Sequence, residues 1–289
     1  MLAHKFDRRK AVFPCYAQPK VNGVRGLWLG RCMLSRGRPK EEGKVWNAEV
    51  IQHIVNDLEK LQKFFKVPLM FDGEMYLHGE SLQTINSRIA VKRVEPHAKG
   101  ESVKYCIFDM ILTKTFEQRF KYLEKVKEAV HRLQLQSVYV IETQPIGTYE
   151  EFELYHKFNR QRGFEGTMYR ESNAEYGLLE ACGNQENRWH RLMKRKDWLD
   201  LDCEIVSVVE GREGKTGQFL NKAGALELRT PEGIIFNAGS GLIVRHRTLL
   251  WKLSHELVGT SCRIKFPEYS DSGVPLQPVI EAINDERFE

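Results

Sequence analysis

The chain predicts an α+β unit over residues 1–197 followed by a small Greek-key β-barrel over residues 198–289. Three observations carry this expectation. Strand-like and helix-like patterns alternate through the first two hundred residues. The texture changes near Asp197 to Asp202, after which short apolar runs are punctuated by glycine. The 289 residues are 42% hydrophobic and 29% charged, the balance of a globular protein that buries a real core.

Taken in order, residues 12–20 and 23–34 read as strands on either side of Lys20. In residues 47–65, Val50, Ile51, Ile54, Val55, Leu58, Leu61, Phe64 and Phe65 recur at three-to-four spacing, which predicts an amphipathic helix. Asn47 suits its N-cap and Glu49 its first turn. Residues 68–76 are strand-like, and 104–112 form an apolar run of strand length. A helix over 116–135 follows through Phe120, Leu123, Val126, Val130 and Leu133, then a strand over 138–142 and a helix over 149–161. Residues 166–170 and 188–196 supply two further strands. Beyond 198, strands are expected over 203–209, 225–230, 233–238, 259–266 and 274–282, with one helix over 245–257. Five short strands and one helix within about ninety residues is the pattern of an OB-fold.

Composition excludes several classes. No stretch approaches 18 consecutive apolar residues, so no membrane-spanning helix is expected. Residues 1–10 carry charge with no apolar run behind it, unlike a signal peptide. The six cysteines (Cys15, Cys32, Cys106, Cys182, Cys203, Cys262) are scattered without a Cys-x-x-Cys pair, which predicts buried, reduced thiols, a cytoplasmic setting and no structural zinc. The net charge of +5 is mild. Its clustering is more telling: Lys5/Arg8/Arg9/Lys10, Arg36/Arg38/Lys40, Lys92/Arg93 and Arg188/Arg191/Lys194/Arg195/Lys196 are groups able to neutralise phosphates.

Five short motifs in a fixed order carry the chemistry. They are Lys20-Val21-Asn22-Gly23-Val24-Arg25-Gly26, Asp72-Gly73-Glu74, Ile107-Phe108-Asp109, Glu165-Gly166-Thr167-Met168-Tyr169-Arg170 and Leu192-Met193-Lys194-Arg195-Lys196. A lysine attacks phosphorus only as the free amine, and its ordinary pKa is about 10.4. Neighbouring cations lower that value, and Arg25, Lys194 and Lys196 are candidates. Strand alternation puts Lys194 and Lys196 on one face with Arg195 opposite. Glu74 and Glu165 are carboxylates suited to a ribose hydroxyl and a divalent cation. Phe108 offers a stacking face for a purine, and Gly23 a tight turn at a ligand.

This set resembles the covalent nucleotidyltransferase superfamily, most closely the minimal, viral- and phage-type ATP-dependent DNA ligases. The resemblance implies a nucleotidyltransferase (ATP-grasp-like ligase) domain followed by an OB-fold domain, the latter matched by Val209-Glu210-Gly211, Asn237-Ala238-Gly239-Ser240-Gly241-Leu242 and Lys265-Phe266-Pro267-Glu268-Tyr269. It implies Lys20 as the adenylated nucleophile, with ATP and Mg2+ (or Mn2+) as cofactors. Arg25, Glu74, Phe108, Lys194 and Lys196 would bind the nucleotide. Glu165, with Glu74, would support the metal, and Asn22, Ser35 and Arg36 would contact DNA. The expected partner is nicked duplex DNA, clamped between the two domains of a monomer in the cytoplasm.

Two departures stand out. Asn22 replaces the aspartate usual two residues after the lysine. Pro275-Leu276-Gln277-Pro278 and Asn284-Asp285-Glu286-Arg287 stand where the family carries Arg-Phe-Pro and an Arg-x-Asp-Lys-like signature. Three readings stay open at this point: a DNA ligase; an RNA ligase or mRNA-capping guanylyltransferase with the same lysyl-nucleotide chemistry; and a nucleic-acid-binding protein without activity.

Overall fold

The computed structural model describes residues 3–36, 43–177, 189–214, 216–284 and 286–287. Arg38, Lys40, Cys182, Arg188 and Asp285, all singled out above, lie outside the described residues. The chain divides into two compact units, Met1–Lys196 and Asp197–Glu289.

The first unit runs β1 (Ala3–Lys5), β2 (Cys15–Lys20), β3 (Val24–Trp28), β4 (Met33–Ser35), α1 (Gln52–Phe65), β5 (Phe71–Tyr76), α2 (Leu82–Ile89), β6 (Lys104–Met110), α3 (Phe116–Arg132), β7 (Val138–Val140), β8 (Gln144–Ile146), α4 (Tyr149–Gln161), β9 (Gly166–Glu171) and β10 (Trp189–Lys196). These strands form two five-stranded sheets. One has the order β1-β10-β9-β2-β8 and the other β4-β3-β5-β6-β7.

Each sheet buries one face under helices. The second packs Trp28, Phe71, Tyr105 and Ile107 against Ile54, Leu58 and Leu61 of α1 and Leu123 and Val126 of α3. Those α1 and α3 positions follow the spacing read from the sequence, because only one stripe of each helix reaches the sheet. The first sheet packs Ala17, Tyr169 and Met193 against Phe152 and Tyr155 of α4. Helix α3 begins at a capping box in which Thr115 accepts from the Gln118 amide, and Gln118 in turn accepts from the Thr115 amide. Four cysteines, Cys15, Cys106, Cys203 and Cys262, are buried. Burial pushes the Cys15 thiol up to about 12.

The second unit runs β11 (Leu199–Arg212), β12 (Phe219–Arg229), β13 (Ile235–Ala238), α5 (Val244–Lys252), α6 (Ser254–Leu257), β14 (Ser261–Phe266), β15 (Glu268–Tyr269), β16 (Pro275–Leu276), β17 (Val279–Ile283) and β18 (Glu286–Arg287). Six strands take the order β13-β12-β11-β14-β17-β18 around a core of Ile205, Leu226, Leu228, Ile264, Phe266 and Ile280. Ser240, just beyond the β13 edge, bridges Val279 of β17, so the sheet curls back toward itself. Arg247 of α5 donates to the carbonyls of Leu242, Ala223, Gly224 and Gly239 and ties the helix to the curl.

Several elements differ from expectation. The stretch 23–34 is two strands, β3 and β4, because Gly30 turns the chain at φ +85. The stretch 245–257 is two helices that part at Leu253. Helix α2, capped by Ser81 accepting from the Thr84 amide, and the three-residue strands β1 and β8 had no sequence signal long enough to read. Among the described residues no helix is long and apolar enough to cross a membrane.

Candidate active site

Strand pairing brings the first and last motifs of the set together. On β9, Gly166 lies opposite Lys20 of β2 on one side and Lys196 of β10 on the other. A Cβ there would collide with the Arg195 carbonyl, so only glycine lets the strands close around this point. The preceding amide, Glu165 N, donates to the Lys20 carbonyl at 2.9 Å, which locks the carboxylate beside the strand ends. That carboxylate takes the Lys20 ammonium on Oε2 and the Lys196 ammonium on Oε1. All three side chains are largely shielded from solvent, at 17% exposed for Lys20, 9% for Glu165 and 22% for Lys196.

Alternation along β10 sends Lys194 and Lys196 into the cleft and Arg195 to the other side, where it faces Glu153 of α4 at 3.4 Å.

The second sheet supplies the opposite wall. Arg25 of β3 pairs with Glu74 of β5 across the ladder. The Gly23 amide donates to Glu74 Oε2 at 2.9 Å, so the turn after the lysine orients this carboxylate. Burial raises the Glu74 carboxyl above its ordinary pKa, against the opposing charge of Lys20 and the Gly23 hydrogen bond. Arg25 grips Asp72 with both ends of its fork, Nε to Oδ1 at 2.9 Å and Nη2 to Oδ2 at 2.6 Å. Tyr176 adds its hydroxyl to Asp72 Oδ2 at 2.8 Å. Burial would raise the Asp72 carboxyl, but the Arg25 charge and these hydrogen bonds outweigh it and hold it below the usual range.

The ten candidate catalytic, nucleotide-, metal- and DNA-binding residues line one cleft of about 880 Å³: Lys20, Asn22, Arg25, Ser35, Arg36, Glu74, Phe108, Glu165, Lys194 and Lys196. This is large enough for a nucleotide with room to spare. Phe108 sits on β6, half-buried against the core below. The Ser35 hydroxyl accepts from the Lys44 amide at 2.8 Å.

Sequence reasoning missed other lining residues. Gln18, Asp72, Met168 and Arg170 belong to motif strands or their neighbours, so alternation from Lys20, Glu74 and Gly166 was the available signal. Gln83 and Asn86 come from α2, for which there was none, whereas Lys92 in the loop after it belongs to the Lys92/Arg93 cluster noted above.

Chemically the cleft places one amine at a carboxylate and a second amine, walls it with further cations, and offers an aromatic face. Hard oxygen donors, Glu165 and Glu74, are the groups able to hold a divalent cation. Among the described residues no three His, Cys, Asp or Glu side chains form a cage. A donor set of one or two carboxylates suits Mg2+, which keeps waters and substrate phosphates as its other ligands.

Comparison with known proteins follows the same lines. Residues 213–283 match the DNA ligase OB-like domain. The chain is 24% identical to the DNA ligase of African swine fever virus over 274 residues, covering 90% of this chain and 61% of the viral protein. It is 24% identical to the DNA ligase of Haemophilus influenzae over 283 residues, 95% of this chain and 88% of that one. A solved structure from a structure–function study of Lig E DNA ligases superposes with a TM-score of 0.74 at 19% identity, over 98% of both chains. The chain therefore spans less than two thirds of the viral relatives it matches. The chain is thus similar to DNA ligases along most of its length and in fold, and its residues 213–283 match a DNA ligase OB-like domain.

Proposed function

We propose that the protein is an ATP-dependent DNA ligase that seals 5′-phosphate/3′-hydroxyl nicks in duplex DNA. The observation that carries this reading is the meeting of Lys20, Glu165 and Lys196 at one point of a cleft walled by Glu74 and Phe108. The Lys20 amine, once it has lost its proton, attacks the α-phosphorus of ATP. A P–N bond forms, the bond to the β-phosphate oxygen breaks, and pyrophosphate leaves. The 5′-phosphate oxygen at a nick then takes the AMP from Lys20, and the 3′-hydroxyl displaces AMP to join the strands.

In this reading Lys194 and Lys196 stabilise charge on the α-phosphate, Glu74 accepts from a ribose hydroxyl, and Phe108 stacks on the base. Asn22, Ser35 and Arg36 face the DNA end, and Arg25 contacts the nucleotide or the 5′-phosphate of the nick. A divalent cation held by Glu165, with Glu74 beside it, would supply charge neutralisation on the phosphates. Glu165 itself keeps the Lys20 and Lys196 side chains aimed into the cleft.

Incubation with ATP labelled at the α-phosphate tests the reading. The expected result is covalent label on the wild-type chain, none on Lys20→Ala, and transfer of that label to nicked DNA. Label retained by Lys20→Ala refutes the assignment, and preference for GTP or for RNA ends favours the capping-enzyme or RNA-ligase chemistry.

A further inference from the structure

A second ionic group lies at the other end of β9 and is wholly buried. Lys20 pairs with Gly166 and Tyr16 with Arg170, so Arg170 stands four residues along the strand, roughly 13 Å from the nucleophile end. Like Met168 it lines the cleft, while Thr167 and Tyr169 point the other way, toward Asn159 and Phe152 of α4. The Arg170 guanidinium lies 5.5 Å from the centre of the Phe108 ring and 4.6 Å from that of Phe116.

Asp109 of β6 is shared by two guanidiniums. Arg119 of α3 donates Nε to Oδ1 at 2.7 Å and Nη2 to Oδ2 at 3.1 Å, and its Nη1 to the carbonyls of Lys114 and Ala174. Arg170 receives only the remainder: Nη1 to Asp109 Oδ2 at 2.6 Å, and Nε to Gln18 Oε1 at 2.6 Å. Among the described residues the Nη2 of Arg170 has no hydrogen-bond partner. Gln18 is oriented in turn by giving Nε2 to the Phe108 carbonyl at 3.0 Å and to Thr143 Oγ1 at 2.9 Å.

Two cations share this one carboxylate, with Arg119 and Asp109 at 0% exposed and Arg170 at 4%, its side chain at the cleft wall. Burial lowers the Arg170 pKa from its ordinary value; Asp109 resists that fall and Arg119 adds to it. With Nε and Nη1 committed, Nη2 is the donor left to an acceptor in the cleft.

We propose that Arg119, which does not reach the cleft, is a positioning residue: by occupying both oxygens of Asp109 it keeps Arg170 from closing on that carboxylate, and so holds the Arg170 Nη2 donor at the base end of the cleft for an acceptor atom on the nucleobase stacked against Phe108. This rests on the nucleotide reading above. Arg170 is the ligand-contacting group, and Arg119 acts through it.

The test begins with the crystal structure of Arg119→Met. Arg170 is expected to turn both ends of its fork onto Asp109 and withdraw Nη2; an unmoved Arg170 overturns the proposal. In ATP-dependent self-labelling, KM for ATP rises about tenfold, the scale of one hydrogen bond to a charged donor, while kcat stays within twofold because the change is remote from Lys20. Arg170→Met gives the same rise, and the double variant is no worse than Arg170→Met alone; additive losses overturn the coupling. Arg119→Lys retains the charge with a single donor and gives a smaller KM rise, and it carries the same measurements where Arg119→Met does not fold. A wild-type chain that takes up no ATP refutes the nucleotide reading, and the variant structure still decides the positioning.

Discussion

Glu165 and Asp109 each hold two cations, yet they are built for opposite purposes. Glu165 holds two lysines, single flexible donors whose side chains remain 17–22% exposed at a cleft. Asp109 holds two arginines, planar forks packed at 0–4% exposure between β6, α3 and β9. Lysine pairs exchange partners when a phosphate arrives, because each contributes one point charge on a mobile stem. A bidentate guanidinium fixes direction as well as charge. In the proposed reading, the difference separates a carboxylate that manages reacting groups from one that fixes the walls around them.

The largest expected effect comes from Lys20→Arg. The guanidinium keeps the charge beside Glu165 but never becomes a free amine, so covalent nucleotide labelling falls by at least about a thousandfold. The thermal midpoint should stay within about 2 °C, since the ion pair survives. Retained labelling would assign the nucleophile elsewhere and erase the contrast.

Asp109→Asn breaks the other member. Two buried guanidiniums lose the carboxylate they share, with an expected loss of about 3–5 kcal/mol. Hydrogen exchange of the β6 and β9 amides reports it locally, free of the second unit's own unfolding. Unchanged protection would make Asp109 as dispensable as a surface carboxylate.

Glu74→Gln sharpens the distinction between function and stability. The folded protein holds the Glu74 carboxyl above its ordinary pKa, so the folded state binds that proton more tightly than the unfolded chain does. Above both pKa values the ionised group therefore opposes folding, and the variant is expected to be more stable than wild type near pH 7. That gain shrinks as pH falls through the raised pKa. Urea midpoints against pH measure it, and a loss of nucleotide affinity should accompany the gain. A variant less stable at pH 7 contradicts the burial argument.

Arg195→Ala has the smallest expected effect. Arg195 and its partner Glu153 are 32% and 22% exposed, and partly exposed pairs of this kind are worth about 0–1 kcal/mol. Labelling should remain within twofold, although Arg195 sits between the two cleft lysines in sequence. A large loss of labelling would mean that strand alternation does not sort this segment.

How far the sequence could be read is seen in particular residues. The stripe of Ile54, Leu58 and Leu61 announced α1 because helical period is a local property, and Lys194 and Lys196 announced a shared face because strand period is too. Order and spacing of five motifs were enough to nominate Lys20, Asn22, Arg25, Glu74, Phe108, Glu165, Lys194 and Lys196, all of which the cleft gathers. Arg119 left no trace, since nothing in an amphipathic helix marks the one polar side chain that turns inward. Gly30 was read through as strand, and α2 was missed, because eight residues give too few turns for a period to show.

What the chain alone determined is therefore the local periodicities, the break in texture near Asp197 and the residue types capable of covalent nucleotide chemistry. Only the tertiary structure decided which carboxylate meets which cation: Glu165 meets Lys20 and Lys196 because β9 pairs between β2 and β10, and Asp109 meets Arg119 and Arg170 because α3 packs over β6. The physical reason is that periodicity is set by each residue's own backbone and neighbours, whereas the partner of a buried charge is chosen by segments far away in sequence that fold against it.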